Sequence, residues 1–238
     1  MKTKAIIFDK DGTLIDFDAF WVRASVEAVD KILDKTNMKD VNPDEILKAF
    51  GIYNGTTIIN GVLCYGTYEE MAEIVYDILK GYGCTSELSE ITKITIDAYH
   101  ESVGAGEIKP ICEGMSEVLE KLKCKGIKLA VVTSDDYFGA KKCLDGLGIT
   151  EYFDKIYAND GIHPPKPDPY YIDELCKEFN LYKEEAVMVG DTLTDTTFAK
   201  NGGIKVIGVA KSKENQNILK EVADYVIHDI SYIFDVLE

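Results

Sequence analysis

Two patterns of hydrophobic and polar residues alternate along most of the chain. Short runs rich in β-branched residues recur, and several are apolar at nearly every position rather than at alternate positions. Continuous apolar runs of this kind are typical of central strands in a parallel sheet that is covered on both faces. The predicted strands are Ala5–Phe8, Ile127–Val132, Lys155–Tyr157, Ala186–Val189, Lys205–Val209 and Tyr225–Ile227.

Amphipathic helical patterns separate the later strands. Glu113–Cys124 has apolar residues three and four apart, and Thr194–Lys200 is followed by the glycine pair Gly202-Gly203, a helix-stop signal. Asp168 followed by Pro169 predicts a helix with an aspartate N-cap and proline at its first position. Strands that alternate with helices predict an α/β fold, a Rossmann-like doubly wound parallel sheet.

The interval between the first two predicted strands breaks this alternation. It contains amphipathic helical patterns over 17–35, over 67–79 behind a capping box at Thr67, and over 86 to about 103. We expect an α-helical subdomain at 17–106, inserted into a core formed by 1–16 and 107–238. The alternative is a set of crossover helices packed directly on the sheet.

Composition limits the possible partners. The 238 residues correspond to about one and a half domains, and 42 acidic against 26 basic residues give a net charge of −16. Nucleic acids and anionic membranes would be repelled, so neither is expected as a partner. There is no signal-peptide pattern, no apolar run long enough to span a membrane and no C-x-x-C pair among six cysteines. We therefore expect a cytoplasmic protein with free thiols.

Acidic residues follow two of the predicted strands. Asp9 and Asp11 come directly after the first strand, and residues two apart in an extended segment project to the same side. Asp191 and Asp195 follow the strand that ends at Val189. Carboxylates that meet at one edge of a sheet suit Mg²⁺. The alternative for Asp9 and Asp11 is a polar turn at the exit from the first strand. The alternative for Asp191 and Asp195 is that they only cap the helix that follows.

Two further segments offer groups that could hold phosphate oxygens. Thr133 and Ser134 end the second long apolar run, and hydroxyl groups with backbone amides at such a turn can bind phosphate. Lys166 lies in a heptapeptide that contains four of the six prolines, which restrict its backbone. A fixed ammonium there would neutralise nearby carboxylates and bind a phosphoryl oxygen.

Together these segments resemble the four motifs of the haloacid dehalogenase superfamily of phosphohydrolases. The matching parts are DxDGT at Asp9–Thr13, the run ending in Thr133, Lys166 in a Lys-Pro-x-Pro setting, and GDxxxD at Gly190–Asp195. The helical insert is similar to the family's C1-type cap, and the chain resembles the group that contains phosphoglycolate phosphatases and β-phosphoglucomutases.

The resemblance implies a role for each motif residue. Asp9 would be the nucleophile, and Asp11 the general acid and base with its backbone carbonyl on the metal. The residues expected to hold Mg²⁺ are Asp9, Asp11, Asp191 and Asp195, with Asp195 bound directly or through water. The residues expected to bind substrate are Gly12, Thr133, Ser134, Lys166 and, from the insert, Arg23.

Some positions depart from the family's pattern. The family more often has an apolar residue at Lys10, which we expect to point away from the two neighbouring acids. The acidic pair Asp135-Asp136 is unusual for phosphoglycolate phosphatases. Asp11 itself argues against dehalogenases and phosphonatases, which lack an acid there.

We therefore expect a Mg²⁺-dependent phosphatase that hydrolyses a small phosphorylated metabolite, such as a phosphoglycolate-like ester or a sugar phosphate, through an aspartyl-phosphate. One alternative is a phosphomutase resembling β-phosphoglucomutase, although Thr13 favours the phosphatase. A second alternative, from outside enzymes, is a signalling module of the receiver type or a binding protein on the same fold.

Overall fold

A computed structural model describes residues 2–102 and 106–237. The chain forms two compact units: Met1–Asp16 together with Ile108–Glu238, and Phe17–Glu107. The predicted end of the third insert helix at about residue 103 lies outside the described residues.

The strands and helices of both units are numbered in chain order. The strands are β1 (Ala5–Phe8), β2 (Ile52–Tyr53), β3 (Thr56–Thr57), β4 (Lys128–Asp136), β5 (Lys155–Asn159), β6 (Ala186–Gly190), β7 (Lys205–Val209) and β8 (Tyr225–Ile227). The helices are α1 (Arg23–Lys35), α2 (Pro43–Ala49), α3 (Val62–Tyr65), α4 (Tyr68–Gly81), α5 (Leu88–Ser102), α6 (Met115–Cys124), α7 (Tyr137–Gly146), α8 (Tyr170–Glu178), α9 (Leu193–Gly202) and α10 (Lys213–Lys220). Shorter helical turns lie at Asp18–Val22, Thr150–Tyr152, Lys183–Glu185 and Ile230–Asp235.

The α/β unit contains a six-stranded sheet in the order β5-β4-β1-β6-β7-β8, with every neighbouring pair parallel. The chain builds one half outward from β1 through β4 and β5, and then returns to the other side of β1 with β6. This reversal puts a topological switch point at β1, and ligands bind beyond the carboxyl ends of strands at such points. The predicted Rossmann-like parallel sheet is confirmed.

Side chains on both faces of β1 are buried, which explains its continuous apolar sequence. Ile6 and Phe8 pack in one hydrophobic cluster with residues of α6, whereas Ala5 and Ile7 pack in a second cluster with residues of α8 and α9. All four side chains have no exposed surface. Each face of the strand therefore belongs to a different helix layer, as the pattern predicts for a central parallel strand.

The helical unit has a hydrophobic core of its own. Its helices contribute buried apolar residues, and the Tyr99 hydroxyl in that core donates a hydrogen bond of 3.0 Å to Ser25 Oγ. The predicted capping box at Thr67 is confirmed, with the Thr67 hydroxyl and the Glu70 carboxylate each accepting from the other's backbone amide. Within the described residues, no helix is long and apolar enough to cross a membrane.

Several element boundaries differ from the prediction. Helix α8 begins at Tyr170 with Pro169 as its N-cap, one residue later than predicted, and the Asp168 carboxylate accepts from the Tyr170 amide at 3.0 Å. The pattern over 17–35 predicts one helix, but a π-helical turn at Asp18–Val22 precedes α1. The β2–β3 hairpin turns through Asn54-Gly55 and was missed, since two-residue strands are too short to show alternation.

Candidate active site

Adjacent strands of the sheet position the first two acids. Asp9 directly follows β1, and its amide donates a hydrogen bond of 2.9 Å to the Val189 carbonyl in β6. Asp191 directly follows β6. Because β1 and β6 are parallel neighbours, the two aspartates leave the sheet at the same edge. This is the arrangement that the sequence predicted from two acidic strand ends.

Three carboxylates form a tight cluster at that edge. Asp9, Asp191 and Asp195 each place one carboxylate oxygen within 4.8 Å of the others. Asp9 is 7% exposed and Asp195 is fully buried. Burial, with the nearby charge of Asp195, raises the pKa of Asp9 to about 7 even though Lys166 acts in the opposite direction. Burial and the charge of Asp9 also raise the pKa of Asp191 well above its usual value.

Lys166 binds two of the three carboxylates in this cluster. Its ammonium donates hydrogen bonds of 2.5 Å to Asp9 Oδ1 and 2.7 Å to Asp195 Oδ1. Burial works to lower the pKa of Lys166, but the carboxylates of Asp195 and Asp9 outweigh burial and raise it, so the side chain stays charged. Lys166 contacts two of the three carboxyl groups, so carboxyl oxygens of the cluster remain available to a further positive charge.

The donor set fits a divalent cation. Carboxylate oxygens are the ligands that Mg²⁺ prefers, and a cation among Asp9, Asp191 and Asp195 would relieve the repulsion that, together with burial, raises the pKa of Asp9 and of Asp191. Two residues of the first motif lie next to the Asp191 carboxylate. The Thr13 hydroxyl donates to Asp191 Oδ1 at 3.3 Å, a contact that no pattern in the sequence predicts. A Cβ on Gly12, whose φ is +75°, would lie 2.0 Å from Asp191 Oδ2.

Asp195 has two functions at once. The Thr192 amide and hydroxyl donate to Asp195 Oδ2 at 3.0 and 2.7 Å, while Oδ1 accepts from Lys166. Thr192 and Asp195 thus form the capping box of α9. The sequence offered helix capping and a place in the acidic site as alternatives for Asp195, and its carboxylate makes both sets of contacts.

Lys10 does not point away from the neighbouring acids, and that expectation was wrong. It is 2% exposed, and its ammonium lies 2.7 Å from both oxygens of Asp11 and 3.1 Å from Asp135 Oδ2. The alternation argument failed because β1 ends at Phe8, so Lys10 lies in a bend instead of an extended strand. For the same reason the Asp11 carboxylate is bound by Lys10 and is not a member of the three-carboxylate cluster. Burial nevertheless raises the pKa of Asp11.

The remaining predicted residues lie in two places. Thr133 is buried at the carboxyl end of β4, where its hydroxyl accepts from the Asp135 amide at 3.2 Å, and Ser134 beside it is exposed. Among residues 2–102 and 106–237, no hydrogen bond joins Thr133 or Ser134 to Asp9, Asp191 or Asp195. Arg23 is an exposed residue at the start of α1 in the helical unit, and its contact with substrate stays a prediction.

Comparisons with known proteins agree with this geometry. The family model described as haloacid dehalogenase-like hydrolase matches residues 6–209. A provisionally named pyrophosphatase PpaX of Caldanaerobacter subterraneus subsp. tengcongensis is 29% identical, over 100% of this chain and 96% of the relative. A phosphoglycolate phosphatase of Psychrobacter arcticus is 26% identical, over 88% of this chain and 84% of the relative.

A solved structure with the same fold covers almost the whole chain. The crystal structure of a predicted phosphoglycolate phosphatase from Haemophilus somnus 129pt has a TM-score of 0.72 at 21% identity. The similarity covers 99% of this chain and 98% of that chain, and at this identity it establishes the fold.

Proposed function

The chain belongs to the haloacid dehalogenase-like hydrolases, and from that premise we propose that it is a Mg²⁺-dependent phosphatase acting on a small phosphorylated metabolite. The observation that carries the proposal is the joining of Asp9, at the end of β1, with Lys166 and Asp195 by hydrogen bonds of 2.5 and 2.7 Å. A buried carboxylate held by a buried ammonium is suited to attack an electrophile whose negative charge the same ammonium stabilises.

Asp9 is the proposed nucleophile. Its Oδ1 is occupied by Lys166, so Oδ2 is the oxygen proposed to attack phosphorus. In the first step a bond forms between Oδ2 and phosphorus, and the bond from phosphorus to the leaving oxygen breaks. The product is an aspartyl-phosphate, which separates one difficult substitution into two easier ones.

Asp11 is proposed to transfer the protons. In the first step its carboxyl group gives a proton to the leaving oxygen, which departs as an alcohol. In the second step the Asp11 carboxylate takes a proton from water, whose oxygen attacks phosphorus while the bond to Asp9 breaks. Inorganic phosphate leaves, Asp9 is again a carboxylate and Asp11 is again protonated, so the cycle balances.

Mg²⁺ is the proposed cofactor, held by the carboxylates of Asp9 and Asp191, by the backbone carbonyl of Asp11 and by Asp195 directly or through water. When bound, it supplies positive charge that draws phosphate oxygens to a site otherwise rich in negative charge. Asp191 is well suited to this function because Gly12, which has no side chain, leaves room for its carboxylate, and the Thr13 hydroxyl donates to its Oδ1 at 3.3 Å.

The remaining residues are proposed to hold the substrate. The Thr133 hydroxyl, Ser134 and the backbone near Gly12 would donate to phosphoryl oxygens, and Lys166 would stabilise their charge. Arg23, from the helical unit acting as a cap, would contact a negative group on the remainder of the substrate. Relatives are named phosphoglycolate phosphatase and pyrophosphatase, so both phosphoglycolate and pyrophosphate belong in any test with this chain.

The test is phosphate release from a panel of phosphate esters by the purified full chain. The panel contains p-nitrophenyl phosphate, phosphoglycolate, pyrophosphate and hexose phosphates, each with added Mg²⁺ and with the metal removed by chelation. The proposal predicts Mg²⁺-dependent release of inorganic phosphate and a preferred metabolite. Conversion of a hexose phosphate to its isomer without phosphate release would instead identify a mutase.

A further inference from the structure

Lys10, Asp11 and Asp135 form a second charged cluster beside the three aspartates. The Lys10 ammonium binds both oxygens of Asp11 at 2.7 Å and Asp135 Oδ2 at 3.1 Å. The side chain of Lys10 is 3% exposed, against 20% for Asp11 and 36% for Asp135. The cation is therefore the buried member, and the two carboxylates enclose it.

Two unusual positions of the sequence explain each other in this cluster. Lys10 follows β1, and Asp135 lies in β4, the strand that pairs with β1. A buried ammonium is costly unless charged partners surround it. Lys10 contacts both Asp11 and Asp135, and Asp135 belongs to the sheet, so one of the two partners of Lys10 is held by β4.

We propose that Lys10, anchored by Asp135, is a positioning residue that holds the Asp11 carboxylate apart from the three-aspartate cluster and in the orientation needed for proton transfer. The Lys10 ammonium is engaged by Asp11 and Asp135, so its effect on the reaction is proposed to pass through Asp11. The contact to both Asp11 oxygens fixes the direction in which the carboxylate points.

Keeping the Asp11 carboxylate apart from Asp9, Asp191 and Asp195 has a chemical consequence. A carboxylate free to rotate beside three others would add a fourth ligand to a bound cation, and a coordinated carboxylate cannot readily exchange protons. Lys10 keeps Asp11 out of that set. This inference rests on the proposed function, in which Asp11 gives a proton to the leaving oxygen.

A positioning function can be separated from a structural one by the basicity of the leaving group. Phenyl phosphate and p-nitrophenyl phosphate have similar shapes, but phenolate is the far more basic leaving group and needs the proton more. Misplacing Asp11 therefore slows phenyl phosphate more than p-nitrophenyl phosphate. The quantity to measure is kcat/KM, which reports the steps through the first phosphoryl transfer.

The variants are Lys10→Met and Asp135→Asn, compared with Asp136→Asn as the matched control. Asp136 neighbours Asp135, and its carboxylate caps α7 by accepting from the Gly139 amide, a function that asparagine retains. Lys10→Met leaves the carboxylates of Asp11 and Asp135 without their cation and can destabilise the fold. Asp135→Asn removes only the anchor, so it remains a usable test if Lys10→Met does not fold.

The expected result is a fall in the ratio of kcat/KM for phenyl over p-nitrophenyl phosphate. We expect roughly 10-fold for Lys10→Met and about 3-fold for Asp135→Asn, part of the 10²–10⁴-fold that acid–base catalysis supplies. Asp136→Asn should leave the ratio unchanged. Equal losses on both esters in folded Lys10→Met and Asp135→Asn, or no loss at all, would overturn the inference. If the wild-type protein with Mg²⁺ releases phosphate from neither aryl ester and from no other member of the panel, the proposed function itself fails.

Discussion

The ammonium of Lys166 lies 2.5 Å from Asp9 Oδ1, although 157 residues separate the two along the chain. The same ammonium binds Asp195, so one buried cation joins the end of β1 to the start of α9. This contact orients the proposed nucleophile and supplies the positive charge nearest to it.

Replacing Lys166 by methionine should therefore lower kcat by roughly 10²–10³-fold, the range for removal of one electrostatic stabiliser of a transition state. The matched control is Lys123→Met. Lys123 donates a hydrogen bond of 2.7 Å to Asp154 and does not contact the three aspartates. That control should retain the wild-type kcat. A Lys166→Met enzyme with kcat within about threefold of wild type would show that the ammonium is not part of the chemistry.

Gly12 should tolerate no side chain. With φ of +75°, a Cβ would lie 2.0 Å from Asp191 Oδ2, so Gly12→Ala must displace a proposed metal ligand. We expect a loss of activity of about 10²-fold and a matching loss of Mg²⁺ affinity, measured by calorimetry.

The control for that substitution is Gly126→Ala. Gly126 has φ of +77° and open space around its Cβ position, so both variants suffer the same backbone strain of about 1–2 kcal/mol. Only Gly12→Ala should lose metal affinity. Equal Mg²⁺ affinity in the two variants would count against the placement of Asp191 in the metal site.

Much of the fold follows from the sequence because central parallel strands bury both faces. Ile6 and Ile7 face different helix layers, so the continuous apolar run identifies the strand. The acids Asp9 and Asp191 were predictable for a related reason, since each directly follows such a strand.

The side-chain contacts that the sequence did not predict lie beyond the strand ends, where the local direction of the backbone decides which way a side chain points. Lys10 was expected to point away from the acids, but the alternation of side chains ends with β1 at Phe8, and the bend brings its ammonium to Asp11. The Thr13 contact with Asp191 could not be predicted either, because it joins two motifs that are far apart in the sequence and meet only in the folded chain.

Asp154 should give the α/β unit a pH-dependent part of its stability. Partial burial works to raise the pKa of Asp154, but hydrogen bonds from Lys123, the Leu129 amide and Lys128 outweigh it and hold the pKa below the usual 3.8. A depressed folded-state pKa stabilises the fold above the unfolded-state pKa and loses that effect as pH falls through the folded-state value. Asp154→Asn should therefore lower the free energy of unfolding by about 1 kcal/mol at pH 7, and by less below about pH 4.

Urea unfolding of Asp154→Asn and wild type at several pH values measures this difference. Asp224 provides the matched control, because the Val206 amide donates to Asp224 Oδ2 at 2.8 Å and the Asp224 amide donates to the Val206 carbonyl at 3.0 Å. The same two bonds join Asp154 to Leu129. No ion pair among the described residues includes Asp224. Asp224→Asn should show a smaller effect, and a pH-independent deficit in Asp154→Asn would argue against the lysine contacts as its cause.

The central claim is that Asp9 carries the phosphoryl group during turnover. The direct measurement is rapid acid quenching of the enzyme with Mg²⁺ and p-nitrophenyl phosphate, followed by mass spectrometry of the intact chain and its peptides. We predict one phosphoryl group on the peptide that contains Asp9, labile in base, and none on Asp9→Asn, whose melting temperature should show that it is folded. A phosphoryl group on any other residue, or the same label on folded Asp9→Asn, would contradict the mechanism.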